Sequence, residues 1–155
     1  MSLTSLPYKY YRFLWLSSWT SFAATTYGVY LGYPYDVYMV PCNIFVTSMI
    51  YWSYPVTYSW RYYLDVYLVN THLIYALYRF YNSEYMVPCY CVWLLGSPIF
   101  YILSLYYYER KKYSEFVLCH ALVHCCGNLG NFIVFSGKIE DLCAPNSWTQ
   151  KLLCN

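Results

Sequence analysis

Long apolar stretches alternate with short groups of charged, glycine and proline residues along most of this chain. An apolar stretch of about twenty residues is what a helix needs to cross the hydrocarbon core of a bilayer. The pattern therefore predicts an all-α, polytopic bundle of about five transmembrane helices. These predicted helices cover residues of about 13–31, 40–58, 62–78, 86–107 and 114–136.

The second and third stretches are short, and Trp60 and Arg61 leave only a tight turn between them. A bundle of four spanning helices, with one of these stretches re-entrant or interfacial, therefore stays open as an alternative. Prolines also mark two of the helices. Pro41 near the start of the second helix is tolerated there, whereas Pro98 inside the fourth is expected to kink it.

Composition supports a membrane protein. The 155 residues are 60% hydrophobic and only 10% charged, whereas soluble domains carry about 25% charged residues. The 24 Tyr and 6 Trp suit the membrane–water interface, where an apolar ring and a polar tip are both satisfied. No basic patch with interleaved aromatics accompanies the net charge of +2, so we expect the lipid bilayer and no nucleic acid as partner.

The placement of lysine and arginine predicts the orientation, because cytoplasmic loops carry an excess of both. With residues 1–12 as an N-terminal cytoplasmic segment, the chain is N-in and C-out, and residues 137–155 form a polar tail outside. The first apolar stretch has no obvious cleavage site and is expected to remain as a helix. The inner cations are Lys9, Arg12, Arg61, Arg110, Lys111 and Lys112, and the outer ones are Arg79, Lys138 and Lys151.

Most of the eight cysteines lie in apolar stretches, where the thiol behaves as a small hydrophobe. Only Cys143 and Cys154 lie in the polar tail, and they could pair if the tail faces an oxidising compartment. No CxxC pair with zinc-finger spacing occurs.

Two histidines in the last apolar stretch are the main candidates for a functional site. His120 and His124 are four residues apart, which places both imidazoles on one helix face. The predicted orientation puts them at a depth similar to that of Asp65 on the third helix and Ser48 on the second. Imidazoles with a nearby carboxylate are the groups that a zinc site uses, and zinc-bound water can attack an amide or ester.

The combination of Ser48, the spacing Arg61-x3-Asp65 and the spacing His120-x3-His124 resembles the seven-helix membrane hydrolase superfamily, which includes alkaline ceramidases and the progestin and adiponectin receptors. The resemblance implies a small zinc-dependent hydrolase acting on a lipid amide or ester. His120 and His124 would be zinc ligands, Asp65 a water-positioning acid and Ser48 a polar site residue. Two departures stand against it: Trp52 occupies the position of the third histidine ligand, and five helices are predicted instead of seven.

Each candidate residue also has an interpretation without catalysis. The histidine pair could form hydrogen bonds between helices or line a proton or ion pathway, and Asp65 could pair with Arg61 one turn earlier. His72 is expected to be a satisfied residue of the bundle. The chain as a whole would then be a non-catalytic packing or assembly protein, or a degenerate hydrolase-like fold. Small residues at Gly127 and Gly130 predict close helix packing, with Asn128 and Asn131 bonding across the contact.

Overall fold

The computed structural model describes residues 6–139, which form an all-helical bundle. Ser18 continues the first helix into the second, and a π-helical stretch joins the fifth to the sixth, so these residues build five rods, as the sequence predicts. The helices are α1 (Tyr8–Ser17), α2 (Trp19–Tyr30), α3 (Tyr35–Ser53), α4 (Trp60–Arg79), α5 (Met86–Cys91), the π-helix (Val92–Gly96), α6 (Ser97–Glu109) and α7 (Tyr113–Phe135).

The last helix lies at the centre of the bundle. α7 packs against α1 and α2 on one side and against α5, the π-helix and α6 on the other. α3 packs against α1, α2 and α4, and α4 has its main contacts with α3 alone among the described helices. One buried apolar cluster includes Phe116 and Trp52 near the start of α7, and a second includes Phe80 and Phe135 near its end. The segment of α7 between the two clusters carries the polar residues.

The bounds of α3 differ from the predicted 40–58, because two prolines set them. Pro34 precedes the first residue of the helix, and Pro55 follows its end by two residues. A proline disfavours helical backbone in the residue before it, and Tyr54 accordingly has φ −156° and ψ 81°. Pro41 therefore lies fully buried inside α3 and not near its start, and Trp60 begins α4 after a loop of residues 54–59.

The expected irregularity at Pro98 takes the form of a π-helical stretch directly before it. Proline has no N–H, and its ring crowds the carbonyl four residues earlier, which belongs to Leu94. The regular pattern of α-helical hydrogen bonds is therefore interrupted there. The backbone N–H of Ser97 instead bonds the carbonyl of Val92, five residues back. One extra residue in the turn absorbs the misfit, as in other π-bulges.

Two helical rods of the described chain are long and apolar enough to cross a membrane: Met86–Glu109 and Tyr113–Phe135. Only 11% of the most apolar window of the first rod is buried, so its apolar side chains face outward instead of forming a core. The six cysteines among the described residues are free thiols. Cys143 and Cys154, which could pair if the tail faces an oxidising compartment, lie in residues 140–155, outside the described part.

Candidate functional site: a polar stripe along the last helix

Four polar side chains form a stripe along one face of α7. His120, His124, Asn128 and Asn131 follow one another at spacings of four, four and three residues, which keeps them on the same face of a helix. Both asparagines are buried. A buried amide without partners is costly in an apolar environment, so the stripe must find hydrogen bonds on a neighbouring helix.

The amide of Asn128 joins α7 to the start of α2. Its Nδ2 lies 2.9 Å from Thr20 Oγ1, 2.9 Å from Ser21 Oγ and 2.7 Å from the carbonyl oxygen of His124. Asn131 Nδ2 lies 3.4 Å from Asn128 Oδ1, within α7. Asn128 thus bonds across a helix contact, but the contact is with α2 and not the glycine contact at which the sequence predicts it, and Asn131 bonds its neighbour in the stripe.

His124 continues the same contact one turn earlier. Its Nδ1 lies 2.9 Å from the Oγ of Ser17, the last residue of α1, and Ser17 Oγ also lies 2.8 Å from the carbonyl oxygen of Leu14. The hydroxyl has one proton, so the imidazole Nδ1 donates to Ser17 Oγ whenever that proton goes to Leu14. One nitrogen of His124 is therefore used to hold α1 against α7.

His120 lies in an aromatic environment. Its ring centroid is 5.1 Å from that of Trp52, 5.6 Å from Phe116, 6.2 Å from Tyr101 and 5.3 Å from His124. The Nδ1 atom of His120 and the Nε1 atom of Trp52 are both buried without a hydrogen-bond partner. Asn131 Oδ1, further along the stripe, is likewise buried without a hydrogen-bond partner.

Ser48 and Asp65 form a pair between α3 and α4. Ser48 Oγ donates to Asp65 Oδ1 at 3.0 Å, and the serine is buried. Asp65 thus finds its partner across the helix contact. Among residues 6–139 the one ion pair joins Arg79 to Asp36, so the alternative of an Arg61–Asp65 ion pair is not formed.

His72 is a satisfied residue of the α3–α4 contact, as expected. Its Nδ1 lies 2.8 Å from the carbonyl oxygen of Leu68, and its Nε2 lies 2.9 Å from Asn43 Nδ2. Nδ1 is therefore the protonated nitrogen, and Nε2 accepts from the amide. Both nitrogens are occupied, and His72 has no lone pair left for a metal.

The structure brings the predicted site residues together as two pairs that meet through one aromatic residue. His120 and His124 face each other on α7, Ser48 and Asp65 bond each other, and Trp52, one turn after Ser48, lies with its ring against His120. Within the described residues, no three side chains of His, Cys, Asp or Glu are grouped so that they could hold a metal ion. The indole of Trp52 has no lone pair to offer, so position 52 supplies no ligand to a zinc set.

Close packing of α7 against the π-helix depends on glycine, as the spacing of Gly127 and Gly130 predicts. The Nε1 of Trp93 donates to the carbonyl oxygen of Gly127 at 2.8 Å. A Cβ at position 130 would lie 2.1 Å from Trp93 Nε1, whereas a Cβ at position 127 would meet nothing within 4 Å. Gly130 is therefore the residue that admits the indole.

The sequence did not predict the hydroxyl residues that bond to the stripe. Ser17, Thr20 and Ser21 lie in the middle of the first rod and supply the partners of His124 and Asn128. Their signal was a group of small hydroxyl residues inside an apolar helix, a pattern that membrane helices use for contacts. Which helix they would meet could not be read from the sequence.

Comparisons of the chain with protein-family models, with curated proteins and with solved structures found no match. The described residues form an all-helical bundle with an apolar outer face on the rod Met86–Glu109 and a buried polar contact between α2 and α7.

Proposed function

We propose that this chain is a multi-pass membrane protein that crosses the bilayer five times, with its N-terminus inside and its C-terminus outside. The large apolar side chains exposed along α6, among them Ile99, Ile102 and Leu105, support a lipid surround, because soluble domains do not leave such a face to water. The Lys and Arg residues at one end of the bundle support the orientation.

We further propose that the protein acts without catalysis, as a packing or assembly component with a hydrolase-like arrangement that lacks its third ligand. The observation that carries this proposal is the ring of Trp52 against His120, at the position where the resembling family has a histidine. The hydrogen bonds of His124 and Asn128 to Ser17, Thr20 and Ser21 account for these two polar residues without a catalytic role. Polar contacts of this kind hold membrane helices together.

The test of this role compares two asparagines of similar chemistry. Asn128→Ala should lower the free energy of unfolding by roughly 0.6–2 kcal/mol, because it removes interhelical hydrogen bonds in an apolar surround. Asn70→Ala is the matched control: Asn70 is exposed and its Nδ2 bonds only the Val66 carbonyl of its own helix, at 2.7 Å. Thermal unfolding of the purified protein in detergent measures both. Equal midpoints for the two variants would contradict a packing role for the stripe.

A zinc-dependent hydrolase of a lipid amide or ester is the second candidate. One observation favours it: His120 Nδ1 is buried without a partner beside His124. The test is the zinc content of the purified protein against that of the double variant His120→Ala/His124→Ala. About one zinc per chain that is lost in the double variant, together with lipid hydrolysis lost in the same variant, would replace the non-catalytic proposal. Zinc at background level in both proteins would exclude the hydrolase.

A further inference from the structure

One end of the bundle gathers most of its cations. Tyr10 near the start of α1 contacts Tyr113 at the start of α7, with ring centroids 5.9 Å apart. Tyr62 at the start of α4 packs against the same buried cluster. The starts of α1 and α4 and the loop between α6 and α7 therefore meet at one end, which we name the basic rim. Its cations are Lys9, Arg12, Arg61, Arg110, Lys111 and Lys112.

Aromatic rings hold several of these cations in place. Arg110 lies over the ring of Tyr106 at 4.2 Å, Lys9 over Tyr10 at 4.7 Å and Arg61 over Trp60 at 5.5 Å. Tyr and Trp prefer the level of the lipid headgroups. A cation fixed beside such a ring is therefore held at the depth where lipid phosphates lie.

The two acidic residues at the basic rim balance only part of the charge of its six cations. Its exposed acids are Glu109 and Glu115, and Glu115 accepts a hydrogen bond from Ser114 at 2.8 Å. The one ion pair of residues 6–139, between Arg79 and Asp36, lies at the opposite end of the bundle. The rim therefore presents an excess of positive charge that an anionic partner could meet.

The backbone adds an independent observation at the centre of this rim. Lys111 has φ +57°, in the left-handed region that favours glycine. A lysine at this position keeps its charge at the expense of backbone strain.

We propose that the basic rim binds the anionic headgroups of phospholipids in the leaflet that faces it, through Arg110, Lys111 and Lys112. The inference rests on the proposed membrane function and specifies which lipid chemistry the protein prefers. Each cation near a negatively charged membrane surface contributes an attraction that corresponds to about a fivefold change in affinity. The three neighbouring cations of the loop together form the core of the site.

The experiment uses the full chain in neutral detergent and measures binding of fluorescent phosphatidylserine and phosphatidylcholine. Phosphatidylserine should bind at least about tenfold more tightly. Lys111→Gly should weaken phosphatidylserine binding about fivefold and also raise the thermal midpoint, because glycine relieves the strain. Tyr58→Gly is the matched control, since Tyr58 has φ +59° in the loop at the same end and carries no charge. This control should raise the midpoint and leave lipid affinity unchanged.

Equal affinity for the two lipids, or unchanged phosphatidylserine affinity in Lys111→Gly, would overturn the proposal. Displacement of the lipid by inorganic phosphate at the same concentration would also overturn it, because the site would then recognise a free anion. Resistance of the wild-type chain to alkaline carbonate extraction tests membrane insertion separately. If the chain resists extraction but shows no headgroup preference, only the proposed lipid binding by the basic rim is refuted. If the chain is extracted, the proposed membrane function is refuted.

Discussion

At the scale of single residues, two glycines three positions apart on α7 have opposite roles. Gly130→Ala should destabilise the protein by about 1–3 kcal/mol, because its Cβ would lie 2.1 Å from the Nε1 of Trp93. Gly127→Ala should be neutral or stabilising, since its Cβ meets nothing within 4 Å and alanine favours the helix. Thermal unfolding of both variants measures the difference. A Gly130→Ala variant as stable as Gly127→Ala would show that the Trp93 indole does not pack against Gly130.

Trp52 is the residue that decides how the candidate site is interpreted. A histidine at this position would follow Ser48 by one turn, on the helix that brings the indole within 5.1 Å of the His120 ring. We expect Trp52→His to raise the zinc content of the purified protein from background to about one per chain, since three imidazoles are a sufficient ligand set. Metal analysis after dialysis measures it, with Trp52→Phe as the control that keeps an apolar ring. Zinc at background level in Trp52→His would remove the geometric support for the resemblance to the membrane hydrolases.

Contacts between residues of the same helix were the easiest to predict from the sequence. The spacing of His120 and His124 alone placed them on one face, and their ring centroids are 5.3 Å apart. Ser17 and Thr20 could not be assigned to His124 and Asn128, because 107 and 108 residues separate these pairs along the chain. Hydroxyls in an apolar helix also have the carbonyl one turn back as an alternative partner.

At the scale of elements, α3 and α4 are joined by polar pairs that run along their contact in antiparallel order. Asp36 accepts from Arg79 and Tyr75 at one end, Asn43 meets His72 in the middle, and Ser48 meets Asp65 at the other end. These four hydrogen bonds have donor–acceptor distances of 2.8–3.0 Å. They hold α4 in a bundle where its main neighbour is α3.

The charged pair at one end of this series should be the most sensitive to substitution. Asp36→Ala should lower the free energy of unfolding by about 1–3 kcal/mol, because it removes the carboxylate that accepts from Arg79, whose side chain is only 3% exposed. Asp36→Asn should cost less, since the amide oxygen still accepts from Arg79. Unfolding of the purified protein in detergent compares the two. Similar losses for Ala and Asn would show that the charge of Asp36, and not its acceptor, carries the contribution.

The sequence predicted a helix boundary well where charged residues alone marked it. It predicted the boundary poorly where a proline and an apolar run indicated different positions. Proline after a loop marked the start of α3, but the apolar run led to a predicted start at about residue 40, whereas α3 begins at Tyr35. The charged residues after Glu109 marked the start of α7 to within one residue of the predicted 114. Charge interrupts an apolar pattern sharply, whereas a proline inside such a pattern can be buried within a helix.

At the scale of the whole molecule, the proposed five crossings predict that the two termini lie on opposite sides of the membrane. An N-glycosylation acceptor appended to the C-terminus should be modified in microsomes, and the same acceptor appended to the N-terminus should not, because the excess of Lys and Arg keeps the basic rim inside. A shift in mobility that is reversed by a glycosidase measures modification. Modification at both termini or at neither would indicate an even number of crossings, and the reverse pattern would overturn the orientation.

The sequence by itself determined the helical class, the number of helical rods and the faces on which the polar residues lie, because apolar length and four-residue spacing are local properties of the chain. The tertiary structure decided which helices these faces meet: His124 with Ser17, Asn128 with Thr20 and Ser21, and His120 with Trp52. Partners so distant in sequence are selected by the packing of whole helices, and packing depends on the shape of every residue at the contact. For the same reason, the sequence shows only that Trp52 follows Ser48 by four residues, whereas the fold shows that its indole ring packs against His120.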